Sequence, residues 1–118
     1  MITENNSQGW IGVDLDGTLA HYNGWQGQDH IGEPVPLMME RVKEWVANGY
    51  IVKIFTARVS VNYAENANIV QEWCVAHGLP RLEVTCKKDY AMRELWDDRA
   101  VQVIPNTGKA LQDYVKII

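Results

Sequence analysis

The sequence predicts an α/β fold with a mostly parallel sheet flanked by helices. Three observations carry that expectation. Short apolar runs alternate with segments whose apolar residues recur at helical spacing. Turn formers (Asp-Gly, Asn-Gly, Gly followed by Pro) punctuate them. Polar residues capable of chemistry fall at the ends of the apolar runs, and in a parallel sheet those ends share one edge. The chain has 118 residues, which suits one domain with one core. Residues 1–118 are therefore read as a single, Rossmann-like domain built from βαβ units.

Each element has its own signal. Trp10 to Leu15 reads as a short buried strand that ends in the turn Asp16-Gly17-Thr18. His21 to Gly32 is glycine-rich and aperiodic, so it is a loop or small hairpin. Glu33-Pro34-Val35-Pro36 opens a helix, since proline is tolerated in a first turn. Met38, Met39, Val42, Trp45 and Val46 continue it, and Asn48-Gly49 stops it. Tyr50 to Phe55 is a second strand, interrupted only by Lys53. A second helix spans about Val61 to His77, with Trp73 and Cys74 on its apolar side, and Gly78 and Pro80 end it. Leu82 to Cys86 is a third strand, Glu94 to Trp96 a fourth and Val101 to Ile104 a fifth. Asn106-Thr107-Gly108 is a turn, and Lys109 to Ile117 closes the chain as a helix. The fourth and fifth strands are too close in sequence for a helical crossover, so their relative direction is open.

Composition excludes several classes. Hydrophobic residues make up 47% and charged residues 22%, ordinary for a globular protein. No apolar run approaches the ~18 residues of a membrane span, and the polar N-terminus lacks the apolar segment of a signal peptide. The two cysteines, Cys74 and Cys86, make no disulfide framework. They read as buried thiols of a reducing, cytoplasmic compartment. The net charge of -4 argues against unspecific duplex binding. Lys87, Lys88, Arg93 and Arg99 nevertheless form a local basic cluster.

Four predicted strand ends carry the chemistry. Asp14 and Asp16 follow the first, Thr56 the second, Lys87 or Lys88 the third, and Asp97 and Asp98 the fourth. Asp14 and Asp16 are two apart, so an extended backbone would point both carboxylates to one side. With Asp97 or Asp98, at least three carboxylates gather, and such a group recruits a cation. A hard oxygen-rich site suits Mg²⁺, which also takes phosphate oxygens. Thr56 adds a hydroxyl donor and the lysine a fixed positive charge, a set suited to phosphoryl transfer.

Asp14-Leu15-Asp16-Gly17-Thr18 after an apolar strand resembles the first motif of the haloacid dehalogenase-like superfamily. Phe55-Thr56 resembles its second motif, Lys88 its third, and Leu95-Trp96-Asp97-Asp98 its fourth. The resemblance covers most of the chain, with the motifs in order. It implies a Mg²⁺-dependent phosphomonoester hydrolase acting through an aspartyl-phosphate. Asp14 would be the nucleophile and a metal ligand. Asp16 would be the general acid and base and would offer its main-chain carbonyl to the metal. Thr56 and the amides after Asp14 would hold phosphoryl oxygens, and Lys88 would neutralise charge. Asp97 would bind Mg²⁺, with Asp98 supporting it. Lys88 is preferred to Lys87, and either Asp97 or Asp98 is open as the direct ligand. Gly17, Thr18, Ala57, Arg58 and Trp25 complete the substrate-binding set.

The spacings leave no room for a cap domain, so the chain resembles the cap-less members, with only a short flap. Their open sites suit a large or nucleotide-like phosphorylated substrate, or a lid from a neighbouring subunit in a homo-oligomer. Asp97-Asp98-Arg99 resembles the phosphatase domain of polynucleotide kinase–phosphatases, which points to a nucleotide or nucleic-acid end phosphate. His21 to Gly32 is expected to be a mobile flap. Gly24, Gly27 and Gly32 loosen it, and Trp25 either stacks on a substrate ring or packs on the core or a partner. Two rivals come from other classes. A receiver domain would need its phosphoacceptor at the third strand, where Cys86-Lys87-Lys88 stands and no Asp. A HAD-like domain that binds without turnover conflicts with the complete acidic set.

Overall fold

The computed structural model describes residues 9–114. Four strands, β1 (Trp10–Asp14), β2 (Ile51–Phe55), β3 (Glu83–Thr85) and β4 (Met92–Trp96), form one sheet. Its order is β3-β2-β1-β4, and every pairing is parallel. Helix α1 (Pro36–Ala47) joins β1 to β2, and helix α2 (Tyr63–Ala76) joins β2 to β3. These are the α/β fold and the parallel sheet that the sequence predicts.

Register explains the core. Ile11, Val13, Val52, Ile54 and Val84 alternate onto one face of the sheet. There they meet Met38, Met39 and Val42 of α1 and Ala67, Val70, Trp73 and Cys74 of α2 in one continuous cluster. Two crossovers that step in the same direction place both helices on the same face. The Cys74 thiol is part of this cluster, and burial pushes its pKa up to about 12. Cys86, just past β3, is only half-buried at the edge of the core, and both thiols are free. Trp45 packs on the rim of the core and against Trp96, with ring centroids 5.1 Å apart.

The chain then returns from β3 to β4 through residues 86–91, with no helix. This short strap runs beneath Trp10, whose indole Nε1 donates to Asp89 at 2.9 Å and whose backbone N donates to Ala91 O. The other face of the sheet, which carries Lys53 and Phe55, therefore has no helical layer among the described residues. Because the order reverses direction at β1, the topological switch point lies between β1 and β4.

Two expectations fail at the C-terminus. Val101–Ile104 is no sheet strand. It forms half of an exposed hairpin closed by the single bridge Val103–Ala110, turning at Asn106 and Gly108. Lys109 and Ala110 lie outside any helix, and only Leu111–Asp113 makes a short 3-10 turn. The rest of the expected closing helix, 115–117, lies outside the described residues. Val101, Val103 and Leu111 stay exposed, so this segment buries too little to impose either element. Among the described residues no helix is long and apolar enough to cross a membrane.

Candidate active site

The backbone leaves β1 and turns at once. The Leu15 carbonyl accepts from the amides of Thr18, Leu19 and Ala20. This turn needs Gly17 at φ +94, and a Cβ there would come within 2.6 Å of Asp98 Oδ2. The first-motif turn is thus built against the end of β4. Thr18 joins the two. Its hydroxyl lies 3.2 Å from Asp14 Oδ2 and 3.1 Å from Asp98 Oδ1, either of which can accept its proton, and it accepts from the Asp98 amide at 2.9 Å.

Carboxylate oxygens of Asp14, Asp97 and Asp98 lie within 4.8 Å of one another, across the β1/β4 switch point. That is where ligands of open α/β sheets bind. Burial is the largest influence on Asp14. Together with the facing Asp98 and the charges of Asp97 and Asp98, it raises the Asp14 pKa from 3.8 to about 7, against the Thr18 hydrogen bond. A carboxylate held so far from its ordinary value makes this cluster the candidate site.

A cleft of about 650 Å³ opens beside this cluster. Asp14, Asp16, Asp97 and Asp98 line it, together with Thr56, Ala57, Arg58, Trp25 and Arg99. Thr56 ends β2, is 3% exposed, and its Oγ1 accepts from the Arg58 amide, capping a 3-10 turn, Ala57–Ser60. So the residue that caps the turn also lines the cleft.

Asp16 stands apart from the other acids. Arg58 grips it with two bonds, Nε to Oδ2 at 2.8 Å and Nη2 to Oδ1 at 2.9 Å. The same guanidinium donates to the carbonyls of Gln28 and His30 and lies 4.9 Å from the Trp25 ring centroid. The His21–Gly32 segment is therefore anchored. Its neck is a short antiparallel contact in which His21 N donates to Glu33 O and Val35 N to Leu19 O. Trp25 is 59% exposed, with Arg58 against its ring, rather than in the core.

The structure thus gathers Asp14, Asp16, Thr56, Ala57, Arg58, Trp25, Asp97 and Asp98 around one cleft. Gly17 and Thr18, expected in the substrate-binding set, do not line it: their amides donate to Ala20 O and Leu15 O within the turn. Lys88 is exposed on the strap after β3 and does not line the cleft, and neither does Lys87. Positive charge along the cleft comes from Arg58 and Arg99 instead. Asn66 is the site residue that the sequence did not disclose. It is 4% exposed, lines the cleft, and donates through Nδ2 to the carbonyls of Arg58 and Val61. A lone polar residue one turn into a helix carries no distinctive signal.

No family model matches the sequence, and no curated protein does. Among solved structures the chain is similar to a conserved protein from Bacteroides thetaiotaomicron, at 25% identity and a TM-score of 0.58. The likeness covers 83% of this chain and 82% of that one. It supports the α/β architecture described above.

Proposed function

We propose that this chain is a Mg²⁺-dependent phosphomonoester hydrolase of the haloacid dehalogenase-like kind. The observation that carries the reading is the meeting of Asp14, Asp97 and Asp98 at the β1/β4 switch point, with Asp16 on the same cleft. The donor set fits the ion: carboxylate oxygens only, converging, with Asp14 driven toward protonation by burial and by its acidic neighbours. Asp14, Asp97 and Asp98 would hold Mg²⁺, which would supply charge neutralisation for the acids and the phosphate oxygens.

An Asp14 carboxylate oxygen attacks phosphorus as the bond to the leaving oxygen breaks, and a proton that Asp16 relays from solvent goes to that oxygen. Asp16 then takes a proton from water, which attacks the aspartyl-phosphate phosphorus, frees inorganic phosphate and restores Asp14. Thr56 and Arg99, which line the cleft, would hold phosphoryl oxygens. The cleft's volume and its Trp25, Tyr22 and Phe55 lining favour a substrate with a ring, such as a nucleotide end phosphate. The reading is tested by phosphate release from p-nitrophenyl phosphate with Mg²⁺. Steady turnover that stops in EDTA and drops at least ~10³-fold in Asp14→Asn supports it. A single stoichiometric phosphorylation would instead point to a receiver-like phosphoacceptor.

A further inference from the structure

We propose that Arg58 is a positioning residue that sorts the carboxylates of the cleft. It holds Asp16 on the loop side, out of the cation-holding set, and fastens that carboxylate to the 21–32 loop. The inference rests on the cation-and-phosphate reading of the cleft and assigns a role that neither the acids nor the loop has alone.

Four carboxylates line the cleft, yet only Asp14, Asp97 and Asp98 converge. Asp16 is two residues from Asp14, near enough along the chain to join them. Both of its oxygens are taken by Arg58 instead. The arginine is built to stay in place. Its amide donates to Thr56 Oγ1, and its carbonyl accepts from the buried Asn66 amide. Its side chain is only 6% exposed. The bonds to Asp16, Gln28 O and His30 O use all but one of its N–H donors. The Trp25 ring covers the guanidinium.

The pair also borders two cavities. Asp16 and Arg58 line the main cleft and a smaller pocket of about 220 Å³, the latter walled by loop residues including His21, Asn23, Gln26 and His30. Both pockets thus share the Asp16–Arg58 bridge, together with Tyr22. A planar fork can hold a carboxylate and two carbonyls at once, whereas an ammonium is a point charge on a flexible stem. Affinity for a hard cation rises with the number of carboxylates that face it. Freed from Arg58, Asp16 would turn to the other acids as a fourth ligand, gaining cation affinity and losing its place beside the leaving group.

The test compares the full-length chain with Arg58→Met and Arg58→Lys. Mg²⁺ is titrated calorimetrically without substrate, and amide hydrogen exchange is followed over residues 21–32. Arg58→Met should bind Mg²⁺ about tenfold more tightly, the size of one charge-assisted contact, and should lose protection at the loop amides. Its kcat on a slow-leaving alkyl phosphate should fall with KM little changed. Arg58→Lys should bring Mg²⁺ affinity back toward wild type, since it can still pair with Asp16, and leave the loop unprotected. Unchanged or weaker Mg²⁺ binding by a folded Arg58→Met protein overturns the proposal, as does loop protection equal to wild type. Absence of Mg²⁺ binding by either protein overturns it too. Tighter Mg²⁺ binding and a freed loop in a protein that never turns over phosphate would uphold the sorting and sink only the phosphatase reading.

Discussion

Replacing Asp14 by asparagine should stabilise the metal-free protein, and the gain should depend on pH. Asp14 sits against Asp97 and Asp98, and burial with these neighbours raises its pKa from 3.8 to about 7. A raised carboxyl pKa means that the folded state holds the proton more tightly than the unfolded chain does. Stability from this group is therefore lost as pH rises from about 4 to about 7 and is flat above that. The shift sets a ceiling of about 4 kcal/mol. The cleft is open to water and the acids are screened, so about 1–2 kcal/mol is the expected cost at pH 8. The substituted side chain carries no charge, and its amide can donate to Asp98. Urea unfolding in EDTA from pH 4 to pH 8 measures the difference. Asp14→Asn should match wild type near pH 4 and exceed it by about 1–2 kcal/mol at pH 8. Mg²⁺ should reverse the order by stabilising only the wild type, by about 2.7 kcal/mol at a hundredfold excess over Kd. A pH-independent difference, or an Asp14→Asn protein less stable at pH 8 in EDTA, would refute the reasoning.

Three further outcomes follow from the packing. Ile54→Ala, fully buried in the core on the central strand β2, should cost about 2–5 kcal/mol in urea unfolding. Gly17→Ala meets both a positive φ and the Asp98 carboxylate. It should lose about 1–2 kcal/mol of stability and weaken Mg²⁺ binding in the same calorimetric titration, whereas an unchanged Kd would show that this turn does not set the acids. Trp25→Ala, more than half exposed, should lower stability by only about 0.5–1 kcal/mol, the worth of its contact with Arg58. Its kcat/KM on a nucleotide phosphate should drop by about 1–3 kcal/mol, and equal losses on p-nitrophenyl phosphate would show that Trp25 only supports Arg58.

The acids are legible in the sequence because topology alone brings strand ends together. Asp14 and Asp97 end neighbouring parallel strands, so they meet whatever the loops do. Asp16 escaped the same logic. The two-residue alternation holds for an extended chain, and here the backbone turns at Leu15, which frees Asp16 to face Arg58. Lys88 escaped for a related reason. It follows β3, the outer strand, which β2 separates from β1 by about 10 Å. An apolar pattern suggested a strand at Val101–Ile104, but pattern alone does not supply a partner, and among the described residues the hairpin there pairs only with itself. The Asp16–Arg58 pair spans 42 residues of sequence, and two charges so far apart leave no spacing to read.

Whether Asp14 is the nucleophile is decided by acid-quench trapping. Wild-type protein, Mg²⁺ and a phosphomonoester are mixed, quenched in acid during turnover, digested and examined by mass spectrometry. One phosphoryl group is expected on the peptide that contains Asp14, absent in Asp14→Asn and in EDTA. Turnover with no covalent phosphate on that peptide, or phosphate on another residue, would contradict it.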